Sequence, residues 1–207
     1  MEIIAHRGFI DGPVTPGRDQ LGVAMAQGFG VEFDVRDSAS GIVLAHDPWE
    51  TNAPSFGEFL GGVPEAGTLA VNIKSCGLAV RIKEELGAYG VNPSRCFFFD
   101  MAVPDHVIYL KNGLRAFPRI SEIEPWGALA ENADGVWLDG FHSTWWDVAQ
   151  VAEWLKGGVK VCIVSPELHR RERHEAWSRL RESGLHVNPS LSICTDYALE
   201  AREYFRE

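Results

Sequence analysis

Eight short apolar runs, nearly all followed by a stretch of helical periodicity, fit into 207 residues. The runs do not alternate polar with apolar residues, which suits a parallel sheet covered on both faces. Polar or charged residues stand at or just past the end of run after run. These three features predict an α/β chain: a single (β/α)8 barrel near its minimum size, spanning residues 1–207 as one domain. A doubly wound open sheet is the alternative fold.

Residues 2–5 form the first strand, and a loop rich in Gly, Pro and Asp follows through Asp19. Residues 20–27 read as a short helix stopped by Gly28 and Gly30. The second strand is 31–35. A turn at 38–41 leads into a further extended run at 42–45. Residues 48–67 are loop-like, with one helical turn near 56–60. A regular alternation then begins, with strands at 69–73, 96–99, 114–117, 135–138, 160–164 and 191–194. Helices fall between or after them at 78–89, 104–111, 126–131, 145–156, 171–183 and 197–205. Asn112-Gly113, Gly157-Gly158 and Gly184 stop three of these helices. Thr195 or Asp196 stands where a helix cap is needed.

The formal net charge is −10 and no basic run occurs, which argues against a nucleic-acid partner. A small anionic ligand still fits if Arg7, Lys74 or a metal makes its site locally positive. Cys76, Cys96, Cys162 and Cys194 show no C-x-x-C spacing. Three of them lie in strand-like runs, so they are expected as buried thiols in a reducing compartment. A first strand at residue 2 leaves no room for a signal peptide. No apolar stretch reaches the roughly 20 residues of a membrane helix. The expectation is a cytoplasmic protein without a membrane span.

The chemistry concentrates in the first 47 residues. Ile3-Ile4-Ala5-His6-Arg7-Gly8, Val31-Glu32-Phe33-Asp34-Val35 and Val43-Leu44-Ala45-His46-Asp47 are apolar runs that end in ionisable groups. The strand period of two puts Glu32 and Asp34 on one face and Phe33 on the other. Adjacent carboxylates repel unless a cation sits between them, so a divalent metal is the natural partner. His6 and His46 flank the pair in sequence, and each can move a proton near neutral pH. Asn72, Lys74, Asp100, Arg119, Asp139, Glu167 and Asp196 stand at or past later strand ends. In a barrel those ends converge on one face.

His6-Arg7-Gly8, Glu32-x-Asp34 and His46-Asp47, in this order and spacing, resemble the glycerophosphodiester phosphodiesterase family. That family belongs to a wider group of barrel phosphodiesterases, which includes phosphatidylinositol-specific phospholipase C. The likeness extends to Cys194-Thr195-Asp196, which is similar to the family's closing strand end. The resemblance implies that His6 and His46 are the general acid and base. It implies that Glu32 and Asp34 hold Mg²⁺ or Ca²⁺, and that Arg7 and Lys74 contact a phosphate. It further implies a small-molecule phosphodiester substrate and a role in lipid metabolism. A hard cation with Arg7 and Lys74 would stabilise charge on the non-bridging oxygens while two histidines move the protons.

Three departures stand out. The family's third ligand is a carboxylate two residues before the lysine; here it is Asn72, whose amide oxygen can coordinate but lacks the charge. Weaker metal binding is expected, or help from Asp47, Asp100 or Asp139. The family's P-E-N-T segment is not recognisable around residues 15–19. Only about twenty residues separate the His46 motif from the next strand, where the family commonly inserts a subdomain. Two other functions are consistent with the sequence: a lyase stopping at a cyclic phosphate, and a binding protein with a decayed site. Asp100, Asp139 and Glu167 read as caps or supporting partners, and Asp196 as a helix cap. His169, Arg170 and Arg171 read as a helix start that could face a phosphate. The tryptophans, among them Trp137, Trp145 and Trp146, are expected to pack between helices and barrel.

Overall fold

The computed structural model describes residues 1–14, 20–50 and 52–206. The segment around 15–19 where P-E-N-T was sought lies outside the described residues. The apolar runs become β1 (Glu2–His6), β2 (Gly30–Ser38), β3 (Gly41–Leu44), β4 (Leu69–Ile73) and β5 (Cys96–Phe99). They continue as β6 (Arg119–Ile120), β7 (Gly135–Leu138), β8 (Lys160–Val164) and β9 (Leu191–Thr195). Neighbours follow the order β5-β4-β2-β1-β9-β8-β7-β6, all parallel. β3 folds back antiparallel on the second half of β2.

The ring closes between β5 and the segment just ahead of β6. Phe98 N–H donates to Arg115 O and Phe117 N–H donates to Phe98 O, each at 2.8 Å. This corrects the sixth strand, expected at 114–117. Only a single bridge, Phe98 with Ala116, forms there, and the regular ladder to β7 lies at Arg119–Ile120. Pro118 is the reason. It has no N–H to give, so the strand passes through it as an acceptor alone, taking Trp137 N–H at 3.0 Å.

Around the barrel lie α1 (Gln20–Ala26), α2 (Phe56–Leu60), α3 (Ala79–Ala88), α4 (Val103–Lys111), α5 (Ala128–Glu131), α6 (Val148–Lys156), α7 (His174–Glu182) and α8 (Ala198–Tyr204). Among the described residues no helix is long and apolar enough to cross a membrane. α6 starts three residues later than expected because Asp147 caps it, accepting from Ala149 N–H at 2.8 Å. α7 also starts late: a 3-10 turn at Pro166–His169 ends on Arg170, whose φ of 59° is left-handed and breaks the helix.

Strand parity divides the apolar residues. Ile4, Ala70, Phe97, Phe99, Phe117, Trp137, Cys162, Val164 and Cys194 form one cluster inside the ring. Alternate residues such as Val31, Phe33, Val136 and Ile163 face outward into two clusters under the helices. The interior is filled from one side. Phe99 stacks on Trp137 with centroids 3.9 Å apart, and Phe97 on Phe117 at 4.3 Å. The small Ala70, Cys162 and Cys194 stand opposite these rings in character and make room for them. Each buried aromatic contributes on the order of 1.5–3 kcal/mol of hydrophobic stabilisation. All four cysteines are free; Cys96, Cys162 and Cys194 are buried and Cys76 is exposed. Trp146 is buried under the helices, as expected, whereas Trp137 packs inside the ring and Trp145 is partly exposed.

Gly135 faces this aromatic plug. A Cβ there would overlap the Phe117 ring and crowd Lys160 O. Gly135→Ala should therefore destabilise the fold by roughly 1–3 kcal/mol in urea denaturation; an unchanged midpoint would remove the close-packed interior from the account.

Candidate active site

The parity that turns Ala70 inward also turns Glu32 and Asp34 inward, because Glu32 is registered with Ala70 and Asp34 with Asn72. Both acids are buried near the barrel mouth, 2 % and 8 % exposed. His6 ends β1 beside Glu32, with its Nε2 3.8 Å from Glu32 Oε2. Its Nδ1–H donates to Asp196 Oδ1 at 2.7 Å. The chain then turns sharply. Arg7 is left-handed with φ 51°, which aims its backbone N–H at Glu32 Oε2 at 3.3 Å. Gly8, φ 74°, packs so tightly on Gln20 and Leu21 that a Cβ would meet their backbone at 2.7 Å. That close approach is the physical reason for glycine after His6-Arg7.

Two cations meet Asp34. Arg7 Nε lies 3.3 Å from Oδ2, an ion contact without hydrogen-bond alignment, and Lys74 Nζ lies 3.3 Å from Oδ1. Lys74, expected on a phosphate, has Asp34 as its partner within the chain. Arg36 donates to His46 O at 3.2 Å. Burial, and then the neighbouring Asp34 charge, push the Glu32 pKa up to about 7. For His6, burial disfavours the charged ring. The Asp196 hydrogen bond and the Glu32 and Asp196 charges outweigh it and raise its pKa.

Asn72 Oδ1 is buried and has no hydrogen-bond partner. A buried orphan acceptor costs free energy unless something meets it. Here it stands in register with Asp34 on the adjacent strand. Glu32, Asp34 and Asn72 are thus an all-oxygen donor set of the kind that suits a hard cation. Among the described residues no group of three or more His, Cys, Asp or Glu is placed so that it could hold a metal ion. The carboxylates expected to help are engaged elsewhere. Asp47 pairs with His46, and Asp100 and Asp139 pair with Arg119.

His46 follows β3. Its Nδ1 lies 3.0 Å from Asp47 Oδ1, and its side chain is 44 % exposed. Glu50 Oε1 accepts from the backbone N–H of both His46 and Asp47 at 2.8 Å and so fixes this turn. A cavity of about 660 Å³ joins His46 to Arg7 and Asp34, with Phe33 and Trp49 also in its wall. His6 thus stands against Glu32, held by a buried carboxylate, while His46 shares a cavity with Arg7 and Asp34 and is open to solvent.

The opposite strands carry a separate network. Arg119 donates to Asp100 Oδ1 and, at 2.6 Å, to Asp139 Oδ2. His169 Nε2 lies 2.7 Å from Asp139 Oδ1, so His169 is not free for a phosphate. Arg171 donates to Gly140 O at 2.9 Å. Glu167 accepts from the Ser165 and Thr195 hydroxyls and, at 3.2 Å, from Asp196 N–H. Asp196 corrects the sequence reading. α8 has no side-chain cap, and the Asp196 carboxylate orients His6 instead. Glu50 was also missed, since a lone acid in a loop carries no signal of its backbone partners.

Two measurements test the electrostatics. Between the ordinary Glu pKa of 4.5 and about 7, the folded chain holds a proton that the unfolded chain does not. The stability linked to that proton is complete below about pH 4.5 and is lost as the pH rises through 7. Metal-free Glu32→Gln should therefore be about 1–3 kcal/mol more stable than the unmodified chain at pH 8, with a flatter pH profile. A variant less stable at every pH would refute the burial argument. Asp196→Asn should lower the His6 pKa, read from its imidazole protons by NMR; an unmoved titration would show that Asp196 does not hold the charged ring.

No protein-family model and no curated protein matches this sequence. Solved structures do match. A candidate glycerophosphodiester phosphodiesterase from Galdieria sulphuraria superposes with a TM-score of 0.76 at 17 % identity, covering 99 % of this chain and 97 % of that one. An Oleispira antarctica phosphodiesterase, solved in complex with the product sn-glycerol-3-phosphate, gives 0.71 at 18 %, covering 99 % and 96 %. The glycerophosphodiester phosphodiesterase of Agrobacterium tumefaciens gives 0.69 at 14 %, covering 97 % and 99 %. At these identities the likeness is one of fold: over nearly its whole length, the chain has the (β/α)8 fold of the glycerophosphodiester phosphodiesterases.

Proposed function

We propose that the chain is a phosphodiester hydrolase of the glycerophosphodiester phosphodiesterase family, working with a divalent cation, Mg²⁺ or Ca²⁺, and two histidines. The observation that carries this is the under-compensated acid pair. Glu32 and Asp34 are buried together with the orphan Asn72 Oδ1, beside Arg7, Lys74 and His6, and His46 lines the cavity that reaches Arg7 and Asp34. The Oleispira structure, with its glycerol phosphate product, supports the same substrate class.

Glu32, Asp34 and Asn72 would hold the cation, which when bound supplies positive charge against the non-bridging phosphate oxygens. Arg7 and Lys74 add to that charge and orient the phosphoryl group. Asp196 fixes Nδ1–H of His6, so Nε2 is the atom turned toward the substrate. The raised pKa suits His6 to begin protonated and to give its proton to the leaving alkoxide. His46, on the solvent side of the same acid pair, takes the proton of the attacking hydroxyl. That hydroxyl can belong to the substrate, giving a cyclic phosphate that water then opens, or to water directly. Phosphorus NMR of the products separates the two routes.

His6→Ala and His46→Ala should each lower turnover of glycerophosphodiesters at least about 100-fold, with His46→Ala leaving the unfolding midpoint nearly unchanged. Full activity in either variant would sink the two-histidine mechanism. A chelator should abolish turnover, and added Mg²⁺ or Ca²⁺ restore it. Asn72→Asp, which completes three carboxylates, should tighten the cation by about tenfold in a calorimetric titration. If neither protein bound a cation at millimolar levels and neither turned over any diester, the decayed-site reading would stand instead.

A further inference from the structure

The outward face of α4 is apolar, and among the described residues nothing covers it. Its exposed residues are Val103, Pro104, Val107, Ile108, Leu110 and Lys111, of which only Lys111 is charged. Val103, Val107, Ile108 and Leu110 keep 37–61 % of their surface exposed, which a helix face turned to water does not favour. α3 shows the ordinary pattern, with Arg81, Lys83 and Glu84 outward. The difference has a cause in the neighbours. α3 packs on one flank of α4, and there Asp105 Oδ1 accepts from Gly77 N–H at 3.1 Å in the turn before α3. On the other flank α5 has four residues and leaves a hollow, with Met101, Val103, Pro125 and Ala128 in its wall. At about 3.6 residues per turn, Val103, Val107 and Leu110 run in a stripe along that open flank. Ile123, Pro125 and Ala128 are exposed as well and continue the apolar surface beyond the hollow.

The occupant this face fits is a second copy of the chain. The stripe has the i, i+4, i+7 spacing of a helix seam, which packs on a helix of its own kind. Its two ends carry opposite charge. Lys111 stands at the C-terminal end and, among the described residues, has no ion-pair partner. Glu124 is half exposed and shares the wall of the hollow with Val103, at the N-terminal end. A two-fold axis through Val107 sets two α4 helices antiparallel. Val107 then meets its own copy, Val103 meets Leu110, and each Lys111 comes beside Glu124 of the second copy. The net charge of −10 makes copies repel elsewhere, so the least charged face is where they can approach. A standard interface takes on the order of 800 Å² from each copy. One helix face is smaller than that, so Ile123, Pro125 and Ala128 belong to the contact, and the pair is a weak one with Kd on the order of 10 μM.

We propose that the chain forms a weak two-fold dimer through α4, packed by Val103, Val107 and Leu110 and bracketed by Lys111–Glu124 pairs between the copies. The contact does not depend on the hydrolase reading. Sedimentation equilibrium of the full chain, from about 1 to 500 μM, should show the mass rising from one chain toward two. Val107→Lys, which sets like charges face to face on the axis, should raise Kd at least about 30-fold with an unchanged far-UV spectrum. The milder Leu110→Ser should raise it about fivefold. Lys111→Glu and Glu124→Lys should each weaken the pair about tenfold, and the two combined should restore it. A chain that stays single at every concentration overturns the proposal. So does a dimer indifferent to Val107→Lys and Leu110→Ser, or a pair of charge swaps that do not restore each other. Single chains that float with phosphatidylcholine vesicles, and no longer do so with Val107→Lys, would give the face to a lipid surface instead and overturn it too.

Discussion

The structure turns on one constraint: two carboxylates two residues apart on a strand of a closed barrel must both point inward. Below them the interior is apolar, from Ile4 and Ala70 to the Phe99–Trp137 stack. Water cannot solvate them from that side, so their charge has to be met from the mouth. The surrounding groups follow from this. Arg7 turns left-handed to bring its N–H to Glu32, Lys74 reaches Asp34, and His6 is held against Glu32 by Asp196. The compensation is incomplete, since Glu32 is still pushed up to about 7 and Asn72 Oδ1 still lacks a partner.

The Arg119 network shows what full compensation looks like in the same mouth. One guanidinium meets Asp100, Asp139 and Glu124, and His169 takes the other oxygen of Asp139. Every charge there has an opposite within contact, and such a cluster orders the loops after β5, β7 and β8. The acid pair of β2 differs in kind, because it has oxygens to spare. Spare buried oxygens beside cations and proton carriers are what distinguish a place for chemistry from a polar brace.

Much of this was legible in the sequence because it follows from periodicity. The shared face of Glu32 and Asp34 and the convergence of the strand ends that carry His6 and Lys74 need only a period of two and a parallel barrel. What was missed depends on partners distant in sequence. Asp196 precedes a helix and so looked like its cap, yet it binds His6, 190 residues away. Lys74 was expected on a phosphate, and its partner within the chain, Asp34 on the neighbouring strand, carried no local signal. The sixth strand was placed on its apolar residues 114–117, although Pro118 displaces the ladder to Arg119–Ile120. Local pattern shows which face a side chain takes; it does not show which of several carboxylates on that face it will meet.

Asn72 is the residue at which this logic bears on stability. A third carboxylate registered beside Asp34 would add a like charge to a pair whose first member is already pushed up to about 7. Two cationic side chains and one backbone N–H would then face three anions in a setting closed to water from below. An amide keeps the coordinating oxygen without the charge. The chain can then fold with its site unfilled at lower electrostatic cost, in exchange for a weaker grip on any cation. That exchange also explains why the amide oxygen is left bare. A partner from the chain itself would occupy the oxygen that a bound cation would otherwise meet.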